Sequence, residues 1–189
     1  MVTMANPRVR RPAALLLAAA MTLATAIGVR ASAGQAQAAK GAGNVAALMA
    51  KGPGELTQEE QDALDAAAEA TMQRVCVACH PFENITRTRR TVREWSDQVT
   101  NMAQRGAPGT EKDFALVKRY LTRWYGIVRV NTATPEELSA VLGFPSNVAA
   151  AVVAYRKEHG NFTDMAGLLK VDGVDKAKLE EQPEALRFD

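Results

Sequence analysis

The feature that most constrains this chain is a five-residue run, Cys76-Val77-Ala78-Cys79-His80, which contains both cysteines of the sequence. Two cysteines three positions apart, followed directly by a histidine, have the spacing of covalent c-type haem attachment. The two thiols can reach the two vinyl groups of a porphyrin, and the adjacent imidazole can bind the iron. The run therefore predicts one covalent haem c, held by Cys76 and Cys79, with His80 as the proximal iron ligand.

Two other kinds of site also use a Cys-x-x-Cys pair. A thioredoxin-like redox pair is expected within a βαβ pattern, and a structural zinc site needs two further ligands. The sequence shows no βαβ pattern around the pair, has no third cysteine, and has only His159 as a further histidine. Haem attachment is therefore the better interpretation of the run.

The first residues have the pattern of an export signal. Arginines precede an apolar run from Ala13 to Ile27, and small residues follow as far as Ala38. Because about 15 apolar residues fall short of the roughly 20 that span a bilayer, we predict a signal peptide over residues 1–38 rather than a retained membrane anchor. A periplasmic or secreted protein without a membrane span is expected, and export is also the setting for c-type haem attachment.

The remainder of the chain predicts helices and no strand, because no stretch alternates apolar and polar residues over strand length. Residues 39–56 form an Ala/Gly-rich flexible leader with a short helix near Val45–Ala50. Four further helices are predicted to begin after a threonine: Thr57, Thr91, Thr110 and Thr134. Three of these threonines have glutamate three positions later, as in a capping box. The expected fold class is all-α.

Residues 57–126 resemble a small bacterial class I cytochrome c domain. The resemblance rests on the cysteine run, on Trp95, and on the closing Tyr120-Leu121 and Tyr125-Gly126. It implies a mono-haem domain with a methionine sulfur as the sixth iron ligand. Met102 is the candidate, because it shares a predicted helix face with Trp95. The alternatives are an open sixth position or one of three other residues: Met72, Met165 and His159.

A six-coordinate haem with an edge near solvent favours electron transfer to redox partner proteins over oxygen or peroxide chemistry. The sequence shows no acid–base pair of the kind a peroxidase uses, so we expect no enzyme activity; a haem-based sensor or peroxidase is the alternative. Residues 74–126 contain ten basic and five acidic residues. Four arginines, Arg87, Arg89, Arg90 and Arg93, predict steering of acidic partners, pairing with haem propionates, or simply a solvated face.

Residues 127–189 are similar to the tandem helix-hairpin-helix domain of ComEA-type competence DNA receptors, over about residues 129–182. The similarity rests on a series of short segments that include Val130-Asn131-Thr132-Ala133, Gly143-Phe144-Pro145 and Val171-Asp172-Gly173-Val174. In that family, backbone N–H groups at each hairpin turn bind a DNA phosphate without reading sequence. The resemblance implies non-specific contact with duplex DNA through five residues: Gly143, Gly173, Arg156, Lys157 and Lys176.

Both hairpin turns depart from the glycine-hydrophobic-glycine pattern of that family. Pro145 has no N–H to donate at the first turn, and Asp175 brings a negative charge to the second. Residues 127–189 also contain seven basic and ten acidic residues, an unfavourable balance for DNA affinity. Two functions therefore stay open for this region: weak DNA contact in a ComEA-like uptake protein that carries a haem, or docking against a partner protein or the chain's own cytochrome domain.

Overall fold

The structure is a computed structural model that describes residues 44–189. The signal peptide predicted over residues 1–38, and the first part of the predicted leader, lie outside the described residues. Within residues 44–189, no helix combines the length and the apolar character needed to cross a bilayer. All the described residues belong to one compact unit.

Helices dominate the described part of the chain, as the sequence predicts. They are α1 (44–49), α2 (Gln58–Val75), α3 (Phe82–Thr86), α4 (Val92–Gln104), α5 (Glu111–Tyr125), α6 (Pro135–Leu142), α7 (Ser146–His159), α8 (Met165–Leu168) and α9 (Lys176–Glu181). Two 3₁₀ turns lie at Pro53–Glu55 and Pro183–Ala185. The short helix predicted near Val45–Ala50 is confirmed as α1.

The four predicted helix starts are confirmed, and each is a capping box. The hydroxyl of Thr57, Thr91, Thr110 or Thr134 accepts a hydrogen bond from the N–H three residues later, and the side chain of that residue accepts one from the threonine N–H. Each cap satisfies two N–H groups that a helix start leaves without partners and contributes about 1 kcal/mol.

Helices α2, α4 and α5 enclose one hydrophobic core in residues 44–126, which we call the N-terminal half. Its buried side chains include Leu64, Met72, Trp95 and Leu121. The indole of Trp95, 1% exposed, donates a hydrogen bond of 3.0 Å to the Tyr125 carbonyl oxygen and so joins α4 to the end of α5. The apolar spacing of three and four residues that predicts these helices also turns their buried faces inward.

A second core lies in residues 127–189, which we call the hairpin region. Val130, Leu138, Phe144 and Leu168 belong to it. Helices α6 and α7 are joined by a first turn at residues 143–145, and α8 and α9 by a second turn at residues 169–175. The region is closed by a two-stranded parallel sheet.

That sheet is the difference from the predicted all-α class. Strand β1 (Val128–Arg129) pairs with strand β2 (Leu186–Arg187), and Val128 lies opposite Leu186. Two residues are too few to show the alternation by which a strand is recognised in a sequence.

The two halves meet where α5 leads into β1. Arg89 donates to the carbonyl oxygens of Trp124 and Gly126, each at 3.2 Å, and forms an ion pair with Glu184 of the hairpin region. The main chain of Arg90 forms a parallel bridge with Gly126. The predicted domain boundary between residues 126 and 127 falls at this junction, and independent folding of the two parts remains a prediction.

Candidate functional site

A cavity of about 500 Å³ lies between the cysteine run, α4 and α5. Most of its wall is apolar and includes Val75, Trp95, Val99, Phe114 and Leu121. Cavities of this volume are typical of sites for cofactors and other small ligands. Among the described residues, no aspartate or glutamate lines it.

The cysteine run forms one side of this cavity. Helix α2 ends at Val75, and Cys76 caps it by donating its N–H to the Met72 carbonyl oxygen at 2.8 Å. The tight turn that follows brings Cys76, Cys79 and His80 to the same cavity. Both cysteines are free thiols, and burial raises the pKa of the Cys76 thiol. The predicted attachment residues are therefore brought together.

The imidazole of His80 is half-buried at the cavity wall. Its Nδ1 atom lies 3.4 Å from the carbonyl oxygen of Pro81. A contact of this kind at one ring nitrogen leaves the other nitrogen available to bind a metal. This arrangement suits the predicted role as an axial iron ligand.

Met102 reaches the same cavity from α4, where it shares a helix face with Trp95 and Val99. The three alternative sixth ligands are not among the residues that line the cavity. Met72 is fully buried in the N-terminal core, and Met165 packs against the hairpin core. His159 stacks on Tyr155 with ring centroids 4.1 Å apart. The structure therefore places Met102 best, while iron binding by Met102 stays a prediction.

The chemistry of this lining fits a haem c. Two thiols, an imidazole nitrogen and a thioether sulfur surround a space with largely apolar walls, and such donors bind and hold haem iron. Within residues 44–189, no three side chains of histidine, cysteine, aspartate or glutamate form a group suited to a bare metal ion.

The four arginines near the cavity do not form one basic patch. Arg89 is part of the junction described above. Arg90 lines the cavity, and its guanidinium carbon lies 5.5 Å from the centre of the Trp95 ring. The side chain of Arg93 is 89% exposed, and Arg87 is exposed beside Asn84. Steering of a partner can therefore involve Arg87 and Arg93 but not all four residues.

The first hairpin turn is enclosed by other parts of the chain. Gly143 has the left-handed conformation, with φ 67°, and is buried. Lys178 of α9 donates to its carbonyl oxygen at 3.2 Å. Gly54 packs so closely on the turn that an added Cβ would lie 2.3 Å from the Phe144 carbonyl oxygen. Gly143, a predicted DNA contact, is therefore inside the protein.

The second hairpin turn faces solvent. Gly173, with φ 84°, is exposed. Asp175 caps α9 by accepting a hydrogen bond of 2.8 Å from the Ala177 N–H, so its carboxylate already lies at that helix start. Lys170 and Lys176 flank the turn and are exposed.

The remaining predicted DNA contacts differ in their surroundings. Lys157 is exposed on α7. Arg156 is half-buried and donates to the carbonyl oxygens of Val130 and Ala133, the latter at 2.7 Å. Because these bonds occupy its guanidinium within the hairpin core, Arg156 stabilises the fold and is not part of the exposed surface.

These two cores and the hairpin geometry define a mostly helical protein with a C-terminal helix-hairpin-helix region. Residues 125–187 match the family described as helix-hairpin-helix motif. This match covers the hairpin region and the end of α5. The helix-hairpin-helix part of the sequence prediction is thereby confirmed.

Relatives match the same part of the chain over short lengths. ComE operon protein 1 of Bacillus subtilis is 38% identical over 55 residues, which cover 29% of this chain and 27% of that protein. An uncharacterized protein of Haemophilus influenzae is 40% identical over 62 residues, 32% of this chain and 55% of its own length. Human endonuclease/exonuclease/phosphatase family domain-containing protein 1 is 40% identical over 53 residues, 28% of this chain and 9% of the human protein.

The chain thus spans less than two thirds of each of these relatives. No solved structure matches the chain significantly.

Proposed function

We propose that this chain is an exported mono-haem c-type protein that transfers electrons, and that its hairpin region makes weak, sequence-independent contact with duplex DNA. One observation carries the haem assignment: Cys76, Cys79, His80 and Met102 all line one cavity of about 500 Å³ with largely apolar walls. Covalent haem attachment and the predicted signal peptide both support a location in the periplasm or outside the cell.

Each cavity residue has a distinct task in this proposal. The thiols of Cys76 and Cys79 add to the vinyl groups and fix the ring, and His80 binds one side of the iron. The thioether of Met102 binds the other side, which raises the reduction potential relative to a second histidine. Trp95 and Phe114 limit the access of water. The bound haem supplies a one-electron couple between ferric and ferrous iron.

Electron transfer is favoured over peroxidase chemistry by the composition of the wall. No carboxylate among the described residues lines the cavity, and peroxide cleavage depends on a positioned acid–base group. Cys79 is exposed, so a ring attached to it lies close to solvent, as exchange with a protein partner requires.

The haem proposal is tested on protein matured in a host competent for haem attachment. We expect the wild type to show a near-infrared methionine-to-iron band and, when reduced, to bind carbon monoxide poorly. Met102→Ala should lose the band and bind carbon monoxide, whereas Met165→Ala, a methionine outside the cavity, should match the wild type. Colourless wild-type protein would contradict haem attachment. A band that persists in Met102→Ala would contradict this ligand, and ready carbon monoxide binding by the wild type would favour a sensor.

The DNA proposal rests on the similarity to ComE operon protein 1 and on the open second turn. Exposed backbone near Gly173, with Lys170 and Lys176 beside it, offers donors and positive charge to a phosphate. The Asp175 carboxylate opposes that contact. Affinity should therefore be low and strongly dependent on salt.

A mobility-shift assay with duplex DNA at low and moderate salt tests this contact. Lys170→Ala/Lys176→Ala should weaken binding and lower the salt dependence by about one logarithmic unit per lost phosphate contact. Asp175→Asn, which keeps a side chain able to cap α9, should strengthen binding. Lys112→Ala, an exposed lysine of the N-terminal half, serves as the control and should change little.

A second candidate function for the hairpin region is docking. It is favoured by the first turn, which already contacts Gly54 of the N-terminal half. In that case the region holds the haem-binding half or a partner protein, and DNA is not a ligand. Absence of any mobility shift at low salt would select this function.

A further inference from the structure

One polar atom of the cavity wall has no partner. The Nε atom of Arg90 is buried and makes no hydrogen bond within residues 44–189. An unpaired donor of a charged group is costly in a buried place, typically about 1–3 kcal/mol or more, so such groups usually face a ligand.

The chain holds this arginine in place from both sides. Its N–H donates to the Tyr125 carbonyl oxygen at 3.2 Å, and its carbonyl oxygen accepts from the Ile127 N–H at 2.9 Å. The guanidinium lies against the Trp95 ring, whose indole is itself bonded to Tyr125. Arg90 therefore cannot turn away from the cavity without breaking contacts at the junction of the two halves.

The charges around the cavity leave this cation without a compensating anion in its wall. Arg105 also lines the cavity, and the lining contains no carboxylate among the described residues. Glu94 is near enough for Arg90 to help lower its pKa, but its carboxylate bonds to Thr91. A cation beside an apolar space favours an anionic ligand group.

We propose that Arg90 binds a carboxylate of the cavity's ligand and, through its main-chain bonds, couples that ligand to the start of the hairpin region. The inference rests on the proposed function, under which the carboxylate is a haem propionate. Arg90 is then a positioning residue that fixes the ring edge and adds positive charge near the iron.

The test compares haem-loaded Arg90→Gln with haem-loaded Arg93→Gln, whose exposed arginine lies outside the cavity wall. Arg90→Gln should lower the reduction potential, because loss of a nearby positive charge favours ferric iron. Infrared difference spectra with isotope-labelled propionates should show a shifted carboxylate band. The Ile127 amide should exchange hydrogen faster in this variant. Arg93→Gln should match the wild type in all three, and Arg90→Lys, which keeps the charge, should restore most of the potential.

Equal potentials and equal propionate bands in Arg90→Gln and Arg93→Gln would overturn the role of Arg90 while haem binding stands. Wild-type protein that carries no covalent haem would overturn both proposals. Thermal unfolding of the haem-loaded variants shows whether they are folded, and Arg90→Lys provides the comparison if Arg90→Gln is unstable.

Discussion

The two halves of the molecule build their cores in different ways. In the N-terminal half, three helices contribute side chains to a wall around a cavity of about 500 Å³. In the hairpin region, short helices and turns pack on one another from Val128 to Leu186 in a contiguous core. Fold and function should therefore depend on one another in the first half, because its wall is completed by a ligand, whereas the second half obtains its stability from its own residues.

The largest expected effect tests this dependence directly. In Cys76→Ala/Cys79→Ala, loss of haem attachment should weaken the N-terminal half by about 3 kcal/mol or more, the scale on which unfilled cores lose stability. Hydrogen exchange should become faster in α2, α4 and α5 and change little in α6 and α7. The matched control is Cys79→Ala, which retains one thioether link. Equal loss of protection in both halves would show that their cores are not independent.

A second variant tests the contact between the halves. Gly54→Val should destabilise the protein by about 1–3 kcal/mol, because its side chain would overlap the Phe144 carbonyl group. Denaturant unfolding should show this loss together with separation of the two transitions. Gly52→Ala is the control, since the added Cβ would meet only the flexible side chain of Glu55, at 3.2 Å. Unchanged stability of Gly54→Val would mean that the first turn is not held by this segment.

The smallest effect concerns pH and should be confined to the N-terminal half. Burial raises the pKa of Asp65 to about 6, although its carboxylate accepts hydrogen bonds from Trp124 and Gln61. Because the pKa in the folded state lies above the ordinary aspartate value of 3.8, the folded state takes up a proton that the unfolded state does not. Stability should therefore rise as pH falls from 7 towards 4, by about 1–2 kcal/mol.

Chemical unfolding followed by tryptophan fluorescence measures this dependence, since both tryptophans lie in the N-terminal half. Asp65→Asn should flatten the profile. Asp62→Asn, an exposed change on the same helix, should leave it as in the wild type. A stability that falls steadily below pH 7 in the wild type would contradict the assignment to Asp65.

Local signals in the sequence predict the helices well. Each threonine start depends on a residue three positions away, so the pattern is complete within one turn. The common face of Trp95 and Met102 likewise follows from helical spacing alone. For these reasons the amino-acid sequence is sufficient to place both residues on the helix face that lines the cavity.

Long-range contacts cannot be predicted in this way. Arg89 and Arg156 are visible in the sequence only as charges, whereas their partners in the fold are main-chain carbonyl groups far along the chain. The contact of Gly54 with Phe144 leaves no periodic trace, although the Gly52-Pro53-Gly54 run indicates a turn. The sequence therefore gives no sign that the first turn is enclosed, and the prediction of Gly143 as a DNA contact follows from that gap.

The pairing of β1 with β2 has a consequence for how this region can be combined with other proteins. Because Val128 lies opposite Leu186, the polypeptide enters and leaves the hairpin region at neighbouring points. A folded block whose two ends are adjacent can be inserted into or appended to an unrelated sequence with little disturbance of either. This geometry accounts for similar blocks that occupy 9% of a human protein and 55% of a bacterial one.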